Sequence, residues 1–109
     1  MSEKVDYLVN GAGIMGIERR LNRMGFEGHY AVNYLGHFYL THLLWKKLIK
    51  SDFFRIVNSS SITHERISGF LGRTTIDLDD INFEKGRYSP TLSYARSKLY
   101  NNLFTHGLA

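Results

Sequence analysis

A chain of 109 residues with a formal charge of +4, 43% apolar and 22% charged residues, has room for one small domain and is too apolar for a disordered tail. The absence of cysteine excludes disulfide scaffolds, thiolate metal sites and cysteine nucleophiles. No run of about 18 apolar residues occurs, and Met1 to Asp6 are polar and charged, so neither a spanning helix nor a secretory leader is expected and the cytoplasm is the default location.

In chain order, Tyr7, Leu8, Val9 and Asn10 form a short apolar run that stops at Gly11-Ala12-Gly13, which predicts a buried strand ending in a tight turn. Residues 17–23 are polar, with at most a turn or two of helix. Residues 26–50 carry a helical pattern: Tyr30, Asn33, Tyr34, Phe38, Leu44 and Leu48 recur at spacings of three, four or six, with Leu40, Leu43 and Trp45 widening the apolar face. Lys46, Lys47 and Lys50 stand at its C-terminal end, where cations oppose the negative end of the helix dipole.

Residues 53–58 read as a second strand running into Ser59-Ser60-Ser61. Residues 62–85 show no clean period and predict a long loop with at most one short element, in which Asp77, Asp79 and Asp80 form a solvated loop or turn. Ser89-Pro90 predicts a helix start, because serine caps well and proline suits the first helical position. The order strand, long helix, strand, loop, helix implies two parallel strands with a right-handed crossover. Both strands are apolar throughout, as in a sheet covered on both faces. Two helices cannot cover two strands that way, so the pattern is that of the middle of a larger α/β domain.

Gly11-Ala12-Gly13-Ile14-Met15-Gly16 matches the dinucleotide fingerprint G-x-G-x-x-G, yet its context does not. No compact βαβ unit follows, and residues 31–39 lack the acidic group expected about 20 positions on. A glycine turn allowing close backbone approach accounts for the residues better. Tyr94 and Lys98, four apart on the last helix, share one face. A cation beside a phenol favours the phenolate and suits it to proton transfer. By spacing alone a surface cation–π or solvated pair is the better explanation. Ser61 follows the second strand, at the kind of sheet edge where open α/β folds hold ligands, with Ser60 as the alternative. Asn33 lies on the apolar face between Tyr30 and Tyr34, where a buried amide needs partners. His37 and His42 are five apart and do not share a helix face well, His29, His64 and His106 stand isolated, and no metal site is expected. The basic residues are scattered, so no nucleic-acid partner is expected either.

Taken together, several segments resemble the short-chain dehydrogenase/reductase family and its retinol-dehydrogenase-like branch. These are Leu8-Val9-Asn10-Gly11-Ala12-Gly13-Ile14-Met15, Glu18-Arg19-Arg20-Leu21, Gly25-Phe26-Glu27, Val32-Asn33-Tyr34-Leu35-Gly36-His37-Phe38, Arg55-Ile56-Val57-Asn58-Ser59-Ser60-Ser61 and Tyr94-Ala95-Arg96-Ser97-Lys98-Leu99. They stand in the family's order and cover nearly the whole chain. The resemblance implies the central portion of a Rossmann-like, doubly wound parallel sheet. It implies a partial domain over residues 1–109, without the N-terminal phosphate-binding half and the C-terminal substrate-binding part.

The resemblance further implies an oxidoreductase interconverting an alcohol and a carbonyl, with NADP(H) rather than NAD(H) and a retinoid, steroid or other lipophilic substrate. Tyr94 would be the general acid/base, and Lys98 would lower its pKa and hold the nicotinamide ribose. Ser61 would orient the substrate oxygen. Asn33 would kink its helix and bind a relay water through the freed carbonyl. Asn10, Gly11, Ala12 and Gly13 would line the cofactor's ribose region, with Gly11 standing where the family has a second Asn, which puts the tie to neighbouring strands in doubt. Without the phosphate-binding half, the chain alone is expected to be weak or inactive. The alternative is a non-catalytic dimerisation or interaction module that uses the two long helices, with Tyr34, Phe38, Tyr39 and Trp45 as anchors. A homodimer through those helices is the expected partner, and any membrane association of relatives is not visible in these residues.

Overall fold

In the computed structural model, which describes residues 3–61, 66–67 and 72–108, β1 (Tyr7–Asn10) and β2 (Arg55–Asn58) pair in parallel with Tyr7 opposite Arg55 and Asn10 opposite Asn58. Parallel neighbours need a crossover. Here it is a helix in two parts, a π-helical segment (Tyr30–Leu35) that runs directly into α1 (Gly36–Leu48). A second helix, α2 (Pro90–Leu108), packs across the π-helical segment and touches β2. The strand–helix–strand–loop–helix order and the parallel pairing agree with the expected portion of a Rossmann-like α/β sheet.

The helix of residues 26–50 begins later than its apolar pattern suggests. Phe26 and Glu27 are extended, Glu27 forming an antiparallel bridge with Leu21, and helical structure starts at Gly28. Residues 17–23 form no helix. They lead into a turn closed by Asn22, whose Oδ1 accepts the amides of Met24 and Phe26. A local side-chain acceptor of this kind competes with helix formation. In the helix itself Gly36 donates to the carbonyl of Ala31, five residues back. A side-chain carbon at Gly36 would stand 3.2 Å from that carbonyl, so glycine leaves room for the widened turn.

β2 is two residues shorter at its start than the apolar run, because Ser51 accepts the Phe53 amide in a turn and donates to Asp6 Oδ1. The sheet is covered on one face only. Leu8 and Asn10 are buried while Tyr7, Val9 and Val57 are more than half exposed, since both helices of this chain lie on the same side. The segment after β2 contains a two-residue antiparallel pair, β3 (Arg66–Ile67) with β4 (Gly72–Arg73), and a 3-10 turn at Leu78–Asp80. His64 lies outside the described residues. The aspartates organise a turn, as expected: Asp77 caps it through the Asp79 amide, and Asp80 accepts the amides of Glu84, Lys85 and Gly86. Ser89 caps α2 by accepting the Leu92 amide, and Pro90 is its first residue.

An aromatic ladder joins the helices. Tyr30, Tyr34 and Phe38 climb the first helix at neighbouring-turn spacing and meet Tyr100 and Phe104 of α2, with ring centroids 5.2–6.3 Å apart. Tilted and edge-on rings at these distances add to the burial of their area. At the far end of α1, Leu48 is fully buried. Leu48→Ala is expected to lower unfolding free energy by about 2–5 kcal/mol, checked by denaturant unfolding.

Candidate active site

At the end of β1, Asn10 is buried and its Nδ2 donates to Asn58 Oδ1 at 2.7 Å and to Thr41 Oγ1 at 3.1 Å. Asn58 in turn donates to Thr105 of α2. One amide therefore ties both strand ends to both helices, and the tie survives glycine at position 11. The backbone then passes through Gly11, Ala12 and Gly13, all exposed. It does not open a helix at the glycine motif, and the irregular path is the reason that the fingerprint match has no phosphate-loop geometry here.

Asn33, fully buried in the π-helical segment, clamps the glycine loop. Its Oδ1 accepts the Ile14 amide at 2.8 Å, and its Nδ2 donates to the Ile14 carbonyl at 2.9 Å and to Ser97 Oγ at 2.9 Å. The widened turn frees the Asn33 carbonyl, which accepts Asn101 Nδ2 of α2 at 2.5 Å. A carbonyl has two acceptor positions, and Asn101 occupies one of them.

Tyr94 and Lys98 share the face of α2 that looks toward this loop. Lys98 is buried, with Nζ 5.6 Å from the centroid of the Tyr94 ring. A side-chain carbon at Gly13 would lie 3.3 Å from Asn33 Oδ1 and 3.8 Å from Lys98 Nζ, so glycine is what keeps this approach open. Burial lowers the Lys98 pKa, and no carboxylate pairs with it among the described residues. Of the pair expected from spacing, Lys98 is thus brought to Asn33 and Gly13, with Tyr94 beside it. Ser61 is half-buried three residues beyond β2, and Ser60 is exposed. The strand's exit is held by Asn101 Nδ2, which also donates to the Ser59 carbonyl. His37 is buried among these groups with no partner for either ring nitrogen among the described residues, and burial lowers its pKa, opposed by the Asn33 carbonyl and reinforced by the Lys98 charge.

One cluster has no counterpart in the sequence reading. His29, taken as isolated, is fully buried against Glu27, with Nδ1 to Oε2 at 3.0 Å. Gly16 N–H donates to His29 Nε2 at 3.0 Å, which requires a lone pair there and puts the imidazole proton on Nδ1, facing the carboxylate. Glu27 also accepts the amides of His29 and Tyr30 and the hydroxyl of Ser93 at 2.5 Å, and the Tyr88 hydroxyl, 3.1 Å away, shares its proton between Glu27 and the Ile17 carbonyl at 3.0 Å. Burial raises its pKa, but hydrogen bonds from His29, Ser93 and the backbone outweigh that and bring the carboxyl from 4.5 down to about 2. Burial, with the neighbouring charge of Glu27, pushes the Tyr88 hydroxyl up to about 12, so it stays a donor. The His29 ring meets the Tyr94 ring edge-on, centroids 6.2 Å apart. The available signal was a carboxylate directly before a helix start, a residue able to cap it.

Comparison with known proteins agrees with this architecture. A family model described as short chain dehydrogenase matches residues 1–70. Retinol dehydrogenase 13 of Homo sapiens is 42% identical over 107 residues, covering 98% of this chain and 30% of that protein. Retinol dehydrogenase 11 of Mus musculus is 48% identical over 102 residues (94% and 30%), and polyprenol dehydrogenase of Homo sapiens 41% over 105 (93% and 29%). The crystal structure of an uncharacterized protein from Mycobacterium Paratuberculosis superposes with a TM-score of 0.82 at 43% identity, over 98% of this chain and 36% of that one. The chain belongs to the short-chain dehydrogenase family, and the relatives it resembles at this level include retinol dehydrogenases. It spans 30% of the length of these first relatives. No helix among the described residues is long and apolar enough to cross a membrane.

The Glu27 geometry fixes a pH dependence. A carboxyl whose folded pKa is depressed from 4.5 to about 2 contributes stability that is present above 4.5 and is lost as pH falls toward 2. The melting temperature is expected to drop across that window, and to drop less steeply in Glu27→Gln, which starts from a lower value at neutral pH. Thermal melts followed by circular dichroism between pH 7 and pH 2 check both.

Proposed function

We propose that this segment carries the acid–base side of an oxidoreductase that interconverts an alcohol and a carbonyl with a nicotinamide cofactor. The observation that carries the reading is a buried ammonium, Lys98, set beside the Tyr94 ring and against a side-chain-free backbone at Gly13 that Asn33 holds in place. Names of relatives that act on retinol and polyprenol support a lipophilic alcohol or its carbonyl as substrate.

The residues at the loop fit the ribose–nicotinamide part of such a cofactor. Gly11, Ala12 and Gly13 offer exposed backbone, and the Lys98 ammonium offers donors to ribose hydroxyls with no carboxylate among the described residues competing for it. Lys98 and Tyr94 would hold that part, with Asn10 keeping the strand end in register behind it. When bound, the nicotinamide supplies or takes up the hydride. NADP(H) is the form we assign, and with only the ribose side held here, this chain by itself binds it weakly.

The rest is work for the chain's own side chains. In the reducing direction Ser61 donates a hydrogen bond to the substrate carbonyl and polarises it. Tyr94 then passes its hydroxyl proton to that oxygen as it gains charge. The ammonium of Lys98 stabilises the negative charge left on the phenol oxygen. A water at the Asn33 carbonyl returns a proton through Lys98. In the oxidising direction each step reverses. The exposed Phe38, Tyr39 and Leu103 on the outer faces of the two helices support self-association there as part of the same reading.

Tyr94→Phe removes the transferable proton and leaves the ring's contacts. It is expected to lower kcat by about 100-fold or more, and Lys98→Met is expected to lower it comparably and to raise the KM for cofactor. Oxidation of NADPH with retinaldehyde, followed by absorbance, checks both; equal, nonzero rates in wild type and Tyr94→Phe would overturn the assignment.

A further inference from the structure

We propose that Glu27 and His29 are positioning residues for the reaction: a single buried carboxylate–imidazole unit sets the general acid/base and the cofactor loop relative to each other. This rests on the oxidoreductase reading above and extends it to residues that touch neither cofactor nor substrate.

Three segments meet at this unit. From α2, Ser93 Oγ reaches Glu27 Oε1 at 2.5 Å, one residue before Tyr94, and Tyr88 from the approach to α2 reaches Oε2 at 3.1 Å. From the glycine loop, Gly16 N–H reaches His29 Nε2 at 3.0 Å, two residues after the backbone that Asn33 clamps. From the first helix, the amides of His29 and Tyr30 end on the same carboxylate, which fixes the start of the π-helical segment that bears Asn33. The His29 ring then stands edge-on to the Tyr94 ring. Both side chains are sealed from solvent, at 0% exposure, so neither can drift into water without breaking the whole set.

A helix cap alone needs none of this. Capping would be satisfied by the two amides, with the carboxylate otherwise in water. Burial under a histidine of its own segment and a serine and a tyrosine of the α2 segment desolvates the charge, a cost borne only where its acceptor positions find donors. What the arrangement adds over a cap is a fixed placement of Ser93, and with it the neighbouring Tyr94, relative to Gly16 of the glycine loop. Errors of about 1 Å in such a placement cost about 100-fold in rate.

The test compares wild type, Glu27→Gln, Glu27→Asp, Ser93→Ala and Tyr94→Phe in NADPH oxidation with retinaldehyde. Glu27→Gln is expected to lower kcat about 10- to 100-fold with KM changed less than about threefold, and Glu27→Asp to recover part of the loss. Ser93→Ala keeps the charged cap and cuts only its tie to α2. It is expected to lower kcat severalfold with little change in melting temperature, and so serves if Glu27→Gln does not fold. Unchanged kcat in a folded Glu27→Gln, or in Ser93→Ala, overturns the proposal. Retained turnover in Tyr94→Phe overturns the oxidoreductase reading instead. A readout independent of turnover is the nuclear Overhauser contact between the His29 and Tyr94 ring protons. It is expected in wild type and expected to weaken or vanish in Ser93→Ala. Its absence from wild type, or full retention in the variant, overturns the positioning role.

Discussion

A carboxylate taken out of water is tolerated only when its acceptor positions are filled, and in this molecule the condition is met by five donors on Glu27: two backbone amides, one imidazole and two hydroxyls. The donors come from the first helix itself and from the N-terminal part of α2, and His29 extends the set to the glycine loop. The requirement is cooperative, since losing one donor leaves a buried charge partly unsatisfied. The positions of the helix start, the loop and the α2 start are therefore coupled through one electrostatic constraint.

A second amide-based constraint works in parallel. Asn33 sits where the helix widens, and it uses both side-chain amide protons and its side-chain oxygen on the Ile14 backbone and Ser97 while its carbonyl receives Asn101. The widened turn has a cost in helix geometry. It is offset because the freed carbonyl finds a donor from another helix and because Gly36 leaves room for the five-residue return. Asn10, Asn58 and Thr105 repeat the same device at the sheet edge, joining strand ends to α1 and α2 by amide and hydroxyl bonds.

The apolar part of the structure is arranged around these polar ties. The aromatic ladder between the first helix and α2 holds the helices side by side and leaves their mutual slide to be set by the Asn33–Ser97, Asn33–Asn101 and Glu27–Ser93 bonds. Ring contacts tolerate small shifts, whereas hydrogen bonds of 2.5–2.9 Å do not. The site thus inherits its precision from polar groups in a mostly apolar interface.

Much of this was legible in the residues alone. The apolar runs ending at Gly11 and Ser59, the three- and four-residue spacing from Tyr30 to Leu48, and Ser89-Pro90 each state a local preference that the fold keeps, because strand pairing, helix amphipathicity and capping act over a few residues. Tyr94 and Lys98 could be placed on one helix face for the same reason. The start of the first helix, the one-sided cover of the sheet, and the meeting of Glu27, His29, Tyr88 and Ser93 could not be read that way. Glu27 and Ser93 stand 66 residues apart in the chain, and nothing within either neighbourhood says that they touch. A carboxylate beside a glycine and a histidine two residues on look solvated until α2 lies over them. Which polar groups become partners is set when distant segments bury them together, since only the packed chain removes the water that would otherwise have satisfied each one.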